Sequence, residues 1–195
     1  MKRFFDLFFT IPGLLLLLPL FAMVAVLVKL DSPGPVFFRQ VRVGQHSREF
    51  RIFKFRTMRV DAERVGPLVS TGDDPRITRS GFFLRKYKLD ELPQLINVLS
   101  GEMSLVGPRP EVPKYVKAFA SDYLEILKVK PGITDYASIE FRDENELLRG
   151  EEDPENKYLQ EILPAKIKLY RKYLATKGIM TDLSLLYRTL VKILT

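Results

Sequence analysis

Residues 7–28 carry no charged side chain, a run of 22 residues between Asp6 and Lys29 that constrains the fold more tightly than any other feature. As a helix the run extends about 33 Å, enough for the roughly 30 Å hydrocarbon core of a bilayer. Two features act against a plain span. Pro12 with Gly13, and Pro19 near the centre, weaken backbone hydrogen bonding at membrane depth, where unsatisfied groups are costly, so a bend is expected at Leu18 and Pro19. Basic residues flank both ends, Lys2 and Arg3 before the run and Lys29, Arg39, Arg42 and Arg48 after it, which places both ends on the cytoplasmic side. A helix broken at Pro19 that enters and leaves by one face meets both conditions, whereas a kinked span meets only the first. The residues leave these two open, with a buried helix of a soluble core as a third reading. A cleaved signal peptide fits less well, because the run is long and no small-residue cleavage pattern follows it.

The 195 residues, 46% of them hydrophobic, can bury a core behind such a segment. Absence of cysteine excludes disulfides, thiolate metal sites and thiol catalysis. The single histidine, His46, lies in the polar run GQHSR, so a histidine triad or multi-histidine zinc site is excluded as well. Carboxylates and cations must carry any chemistry. The net charge is +7, yet residues 140–155 hold eight acids against two bases, a net of −6, so the remainder carries +13. The acidic stretch reads as a solvated excursion and the basic remainder suits phosphates, nucleic acid or anionic lipid.

Residues 89–110, LDELPQLINVLSGEMSLVGPRP, set the adjacent carboxylates Asp90 and Glu91 at the mouth of a short apolar helix. Asp90 stands where an N-cap stands, Pro93 falls in the first turn, and Leu92, Leu95, Ile96 and Leu99 supply one apolar face. A helix start favours a bound or covalently attached phosphate, although an acidic cap alone is usually only a cap. Before it, Asp31, Ser32, Pro33, Gly34 and Pro35 form a turn signal. Residues 36–43 and 49–58 then read as a β-hairpin. Phe50 and Ile52 share one face but Phe53 and Phe55 the other, so a bulge near Ile52 and Phe53 is expected to aim Lys54 and Arg56 at a diphosphate; the alternative is a charged edge-strand face. Asp73 and Asp74 read as turn residues before metal ligands. A helix over 79–87 brings Arg85 and Lys86 towards Asp90, and two prolines lock the backbone around Arg109. Residues 164–195 mix aromatic, aliphatic and cationic side chains, as interfacial helices do, or as core helices with snorkelling lysines do. The expected fold is α+β and predominantly helical, with residues 1–30 as membrane helix and 31–195 as one domain.

SPGPVFFRQ, FRIFKFRTM, LDELPQL, SLVGPRP and KPGIT, in this order behind an apolar N-terminal segment, resemble the bacterial sugar transferase family of monotopic phosphoglycosyl transferases. The likeness is close over about residues 1–136. It implies transfer of a sugar 1-phosphate from a UDP-sugar to a polyprenol phosphate such as undecaprenyl phosphate, with UMP released. It places the chain at the cytoplasmic face of the bacterial inner membrane, as a minimal catalytic form without the extra spanning helices of longer members. Asp90 matches the family's nucleophile, Glu91 its magnesium ligand, and Lys54, Arg85 and Arg109 its phosphate or nucleotide contacts. A re-entrant helix bent at a proline matching Pro19 is also implied. Its partners are then the donor, the lipid acceptor and membrane lipid, with no nucleic acid. Two departures stand out. Leu18 replaces a serine common before Pro19, and Asp135, Tyr136, Ala137 and Ser138 replace the family's Gly-aromatic-Gln continuation, so donor-sugar contacts do not carry over. Two other readings compete: a non-catalytic basic membrane-surface adaptor, and a direct-displacement enzyme using Asp90 as base.

Overall fold

The computed structural model describes residues 1–62 and 65–194; Thr195 lies outside it. The uncharged run is the middle of one helix, α1 (Lys2–Asp31), which stays helical through Pro12 and Pro19. The expected break at Leu18 and Pro19 is therefore not an interruption of helix. A proline removes only its own N–H from the ladder, and the neighbouring turns remain bonded. The centre of α1 is exposed, Leu16 at 81% and Leu18 at 56%, whereas both ends dock on the rest of the chain.

At the N-terminal end the buried Asp6 accepts hydrogen bonds from Ser104 Oγ at 2.9 Å and Leu105 N at 3.1 Å. Lys2 pairs with Asp182 at 2.6 Å, and Arg3 donates to the carbonyls of Val98 and Leu99. At the other end Val24 and Val28 pack on Phe55 and Leu84, and Asp31 accepts from Ser80 N and Oγ at 2.9 and 2.8 Å. Arg56 donates to the carbonyls of Val28, Ser32 and Pro33, filling acceptors that a helix terminus leaves open. Arg56→Met is expected to leave these three carbonyls short of donors and destabilise the fold by about 1–3 kcal/mol, or a few degrees in Tm, as thermal unfolding checks.

The hairpin pairs β1 (Phe37–Val43) with β2 (Glu49–Phe55) in unbroken antiparallel register from Phe37↔Phe55 to Val43↔Glu49. The expected bulge is absent. The slip in alternation has another cause: β2 is covered on both faces, Phe50 and Ile52 against Val98, Met103 and Leu105, and Phe55 against α1 with Phe21 edge-on at 5.3 Å. His46 turns the hairpin in the left-handed region and is exposed, as a solvated loop residue should be.

Then follow α2 (Arg79–Lys86), a 3₁₀ turn at Leu89–Glu91, and α3 (Gln94–Ser100). Asp90 thus lies in the tight turn ahead of α3 and is not its N-cap. Pro93 has no N–H to reach the Leu89 carbonyl, so Leu92 N closes the shorter bond to it at 3.3 Å. The strand β3 (Ser104–Val106) precedes α4 (Pro113–Ala118) and α5 (Ala120–Ile126), and pairs in parallel with β4 (Gly132–Thr134). Glycine is required at the crossing, since a Cβ on Gly132 would fall 2.1 Å from Gly107 N.

The acidic stretch is largely exposed but is also anchored to the core. With α6 (Tyr136–Glu140), it contributes α7 (Glu144–Leu147) and the start of α8 (Pro154–Lys157), buries Leu148 completely, and pairs Glu144 with the buried Lys166 at 2.7 Å. The two readings of the C-terminal residues divide between helices. α9 (Leu163–Thr176) is a core helix through Leu163, Ile167, Tyr170 and Tyr173, whereas α10 (Ile179–Leu194) leaves Met180, Tyr187 and Leu190 exposed. The result is a mostly helical α+β fold.

Asp135 caps α6, its Oδ1 accepting from Ser138 N at 2.7 Å, and complete burial pushes its carboxyl up to about 6. A carboxyl raised on folding stabilises the protein at low pH and loses that contribution as pH rises from the unfolded value through 6. Asp135→Asn keeps a capping oxygen without the charge, so it is expected to raise stability above pH 6, by at most ~3 kcal/mol, and to add little near pH 4. Denaturant melts at both pH values decide it.

Candidate active site

Four elements bring charge to one point. Lys54 lies on the Phe50 and Ile52 face of β2, Asp90 and Glu91 occupy the 3₁₀ turn, Arg85 comes from the last turn of α2, and Arg109 follows β3 between its two prolines. Glu91 is the hub: Lys54 Nζ donates to Glu91 Oε1 at 2.8 Å, and both Arg109 terminal nitrogens reach the carboxylate, Nη1 to Oε2 at 2.9 Å. This is the two-pronged geometry that guanidinium offers and ammonium lacks.

The neighbouring carboxyls are pushed in opposite directions. Burial acts to raise Glu91, but Arg109 and Lys54 outweigh it and hold the group well below the usual carboxylate value. For Asp90, burial and then the charge of Glu91 push the carboxyl up, against Lys54, Arg85 and Lys88. Asp90 is raised although it stands just ahead of a helix, because it is buried and precedes α3 instead of capping it. Among the described residues, Asp90 Oδ1 is buried without a hydrogen-bond partner. Glu91 is paired with Lys54 and Arg109, and Asp90 is the carboxylate with an unpartnered oxygen.

Both carboxylates and their cations line a cavity of about 1190 Å³. Arg85 is held at its edge by Nε to Thr57 Oγ1 and Nη1 to Ser70 Oγ, at 2.9 and 2.8 Å. Lys88 joins the cluster although Lys86 was expected there. Lys86 is exposed, over the Tyr87 ring, while Lys88 adopts a left-handed backbone and donates to the Arg142 carbonyl at 2.7 Å. A cation two residues before Asp90 was visible in the sequence; the positive φ that turns it inward was not. Arg56 also lines this cavity, while its guanidinium donates to the carbonyls at the end of α1. Leu18 and Pro19 sit on the exposed middle of α1.

No group of three or more histidines, cysteines or carboxylates able to hold a metal occurs among the described residues. Asp74 is held by Arg76 at 2.6 Å and Asp73 by Arg149 at 2.9 Å. The pair Asp90 and Glu91 is a two-carboxylate set with one unpartnered oxygen, which suits an ion such as Mg²⁺ that takes its other ligands from water and substrate phosphates.

A family model described as bacterial sugar transferase matches residues 1–195. The chain belongs to the bacterial sugar transferase family. It is accordingly a transferase enzyme, which leaves the adaptor reading without support. A putative undecaprenyl-phosphate N-acetylgalactosaminyl 1-phosphate transferase of Bacillus subtilis is 44% identical over 121 residues, 62% of this chain and 68% of that protein. Exopolysaccharide production protein PSS of Rhizobium leguminosarum is 37% identical over 202 residues, 100% of this chain and 96% of that protein. UDP-glucose:undecaprenyl-phosphate glucose-1-phosphate transferase of Escherichia coli is 37% identical over 195 residues, 98% of this chain and 40% of that protein. The sugar transferase chain spans only 27–40% of the longer curated relatives it matches.

Proposed function

We propose that this transferase moves a sugar 1-phosphate from a UDP-sugar to a polyprenol phosphate such as undecaprenyl phosphate, releasing UMP, as a first membrane step of exopolysaccharide or related glycan assembly. The observation that carries the reading is the division of labour in the carboxylate pair: Glu91 neutralised by Arg109 and Lys54, Asp90 buried beside them with a free oxygen. In the first step an Asp90 carboxylate oxygen attacks the sugar-bearing phosphorus. The bond from that phosphorus to the bridging oxygen breaks, and the electron pair leaves with UMP. In the second step a phosphate oxygen of the lipid attacks the same phosphorus and Asp90 is released as carboxylate. Lys54, Arg85, Lys88 and Arg109 hold the diphosphate and offset its charge, which otherwise repels a carboxylate nucleophile. Glu91 would hold Mg²⁺, which supplies Lewis-acid neutralisation of the phosphate oxygens when bound. A screen of UDP-sugars against undecaprenyl phosphate, with Mg²⁺ and with chelator, reads UMP release and tests the assignment. No release from any UDP-sugar rejects it.

The docking of α1 supports a re-entrant, monotopic topology at the cytoplasmic face. A helix that crossed the bilayer would carry its ends to opposite sides, yet Asp6 is bonded to β3 and Asp31 to α2 of one domain. Cysteines placed at Lys2 and at Asp31 are expected to be shielded from a periplasmic thiol reagent in intact cells, and labelling at the Lys2 position alone rejects the topology. Pro19→Ala restores a backbone donor at mid-helix and is expected to send a fraction of molecules across the membrane.

A further inference from the structure

The cavity that holds Asp90 and Glu91 is lined by a second group of ions, Glu111, Glu144 and Lys166, which the proposed reaction leaves unused. Lys166 of α9 is buried, and its Nζ donates to Glu144 Oε2 of α7 at 2.7 Å and to Tyr158 Oη at 3.1 Å. It also lies 3.7 Å from Glu111 Oε1, which accepts from Tyr158 Oη at 2.7 Å. Arg42 of β1 brings a further cation to Glu111 at 3.5 Å and donates to the Pro110 carbonyl at 3.0 Å. An apolar side chain of similar size often replaces a buried ion without loss of stability, so this ammonium needs a reason beyond the fold. Arg109 supplies it. We propose that Lys166 is a positioning residue for Arg109: by occupying Glu111 and Glu144 it leaves the guanidinium on Glu91, where it can meet the donor diphosphate. The inference rests on the reading of Arg109 as a diphosphate contact.

Three observations select this role. The first is competition. Arg109 precedes Glu111 by two residues and lines the same cavity. Burial acts to lower its guanidinium, yet Glu91, and after it Glu111 and Glu144, raise it well above the ordinary arginine value. Three carboxylates attract this side chain, and it is Glu91 that holds it. The second is balance. Two acids, Glu111 and Glu144, meet two cations, Lys166 and Arg42, so the group is neutral without Arg109. Loss of the ammonium leaves a buried carboxylate charge uncompensated, which is costly enough to draw in a neighbouring cation. Arg42 is tied by Gln40 Oε1 at 2.6 Å and by the Pro110 carbonyl, so Arg109 is the cation left to turn. The third is rigidity. Tyr158 opens a π-helical turn (Tyr158–Ile162) that leads into α9, and its one hydroxyl bonds both Glu111 and Lys166, fixing the two relative to each other.

The test is a double-mutant cycle on the full chain, with undecaprenyl phosphate and whichever UDP-sugar releases UMP in the screen above. Lys166→Met removes the charge and keeps an unbranched side chain. Lys166→Gln, which keeps a donor for Glu144 and Tyr158, is made beside it in case the methionine variant does not fold. Either change is expected to lower kcat/KM for the donor about tenfold in the wild-type background, and by less than about twofold in an Arg109→Gln background, which has no guanidinium to divert. Equal losses in the two backgrounds are what a merely structural lysine gives, and they overturn the proposal. So does unchanged kcat/KM in a folded variant. Failure of both lysine variants to fold makes Lys166 a folding residue and overturns it too. Wild-type enzyme that releases UMP from no UDP-sugar rejects the functional reading, whereas wild-type turnover with an additive cycle rejects only the role of Lys166.

Discussion

Asp90→Asn is expected to abolish both turnover and any covalent adduct, a loss of about 10⁴-fold or more, as removal of a nucleophile typically gives. The substitution is nearly isosteric, and Asp90 makes no ion pair that holds the fold together, so the protein should purify and melt like the wild type. The measurement that decides is intact-protein mass spectrometry after incubation with donor alone. Wild-type enzyme should gain the mass of one sugar phosphate, mapped to Asp90, and release UMP before any lipid is present; steady-state kinetics should be ping-pong. An adduct on another residue, or turnover surviving in the variant, refutes the mechanism. Sequential kinetics with no adduct would instead favour direct displacement with Asp90 as base.

The second large effect belongs to Arg109. Its guanidinium spans both oxygens of Glu91, a contact that needs two parallel donors at a fixed spacing. Arg109→Lys keeps the charge and loses the fork. Lys54 already supplies a point charge to Glu91, so a second ammonium adds nothing the site lacks. The variant is expected to lose about 10²- to 10³-fold in kcat/KM for the donor, the scale seen when one positioned transition-state donor is removed. Near-normal turnover with unchanged donor affinity would show that Arg109 serves only to neutralise Glu91. Circular dichroism and melting keep the result separate from misfolding, because truncating one partner of a buried pair also destabilises.

Several parts of this arrangement were legible in the sequence, for identifiable reasons. The uncharged run, the Pro-Gly turn and the hairpin are local patterns, and α1, β1 and β2 formed where periodicity and turn residues placed them, whereas α3 buries Gln94, Asn97 and Val98 and leaves Leu99, of the expected apolar face, exposed. Lys54, Arg56, Arg85, Asp90, Glu91 and Arg109 all line one cavity. What escaped depends on contacts distant in the chain. Arg56 has the same type and neighbourhood as Lys54, and only the return of α1 to its side reveals it as a capping residue. Phe55 broke the strand alternation because a helix thirty residues earlier covers the second face, which no window over 49–58 contains. Within the largely exposed acidic stretch, Leu148 and the Glu144–Lys166 pair anchor the segment to the core, which charge alone does not reveal.

On the proposed function, the double docking of α1 also bears on how the enzyme would search for a lipid acceptor. A domain on one flexible tether would swing, and its catalytic carboxylate would sample a range of heights above the membrane. With Asp6 bonded to β3 at one end and Arg56 gripping the carbonyls at the other, α1 is held at two points of the same body. In the proposed topology, with that helix sunk in lipid, tilt and height would be set together, leaving lateral drift and spin about the membrane normal as the free motions. Encounter with the proposed lipid acceptor would then be a two-dimensional problem at constant depth, while a nucleotide sugar would still arrive from three.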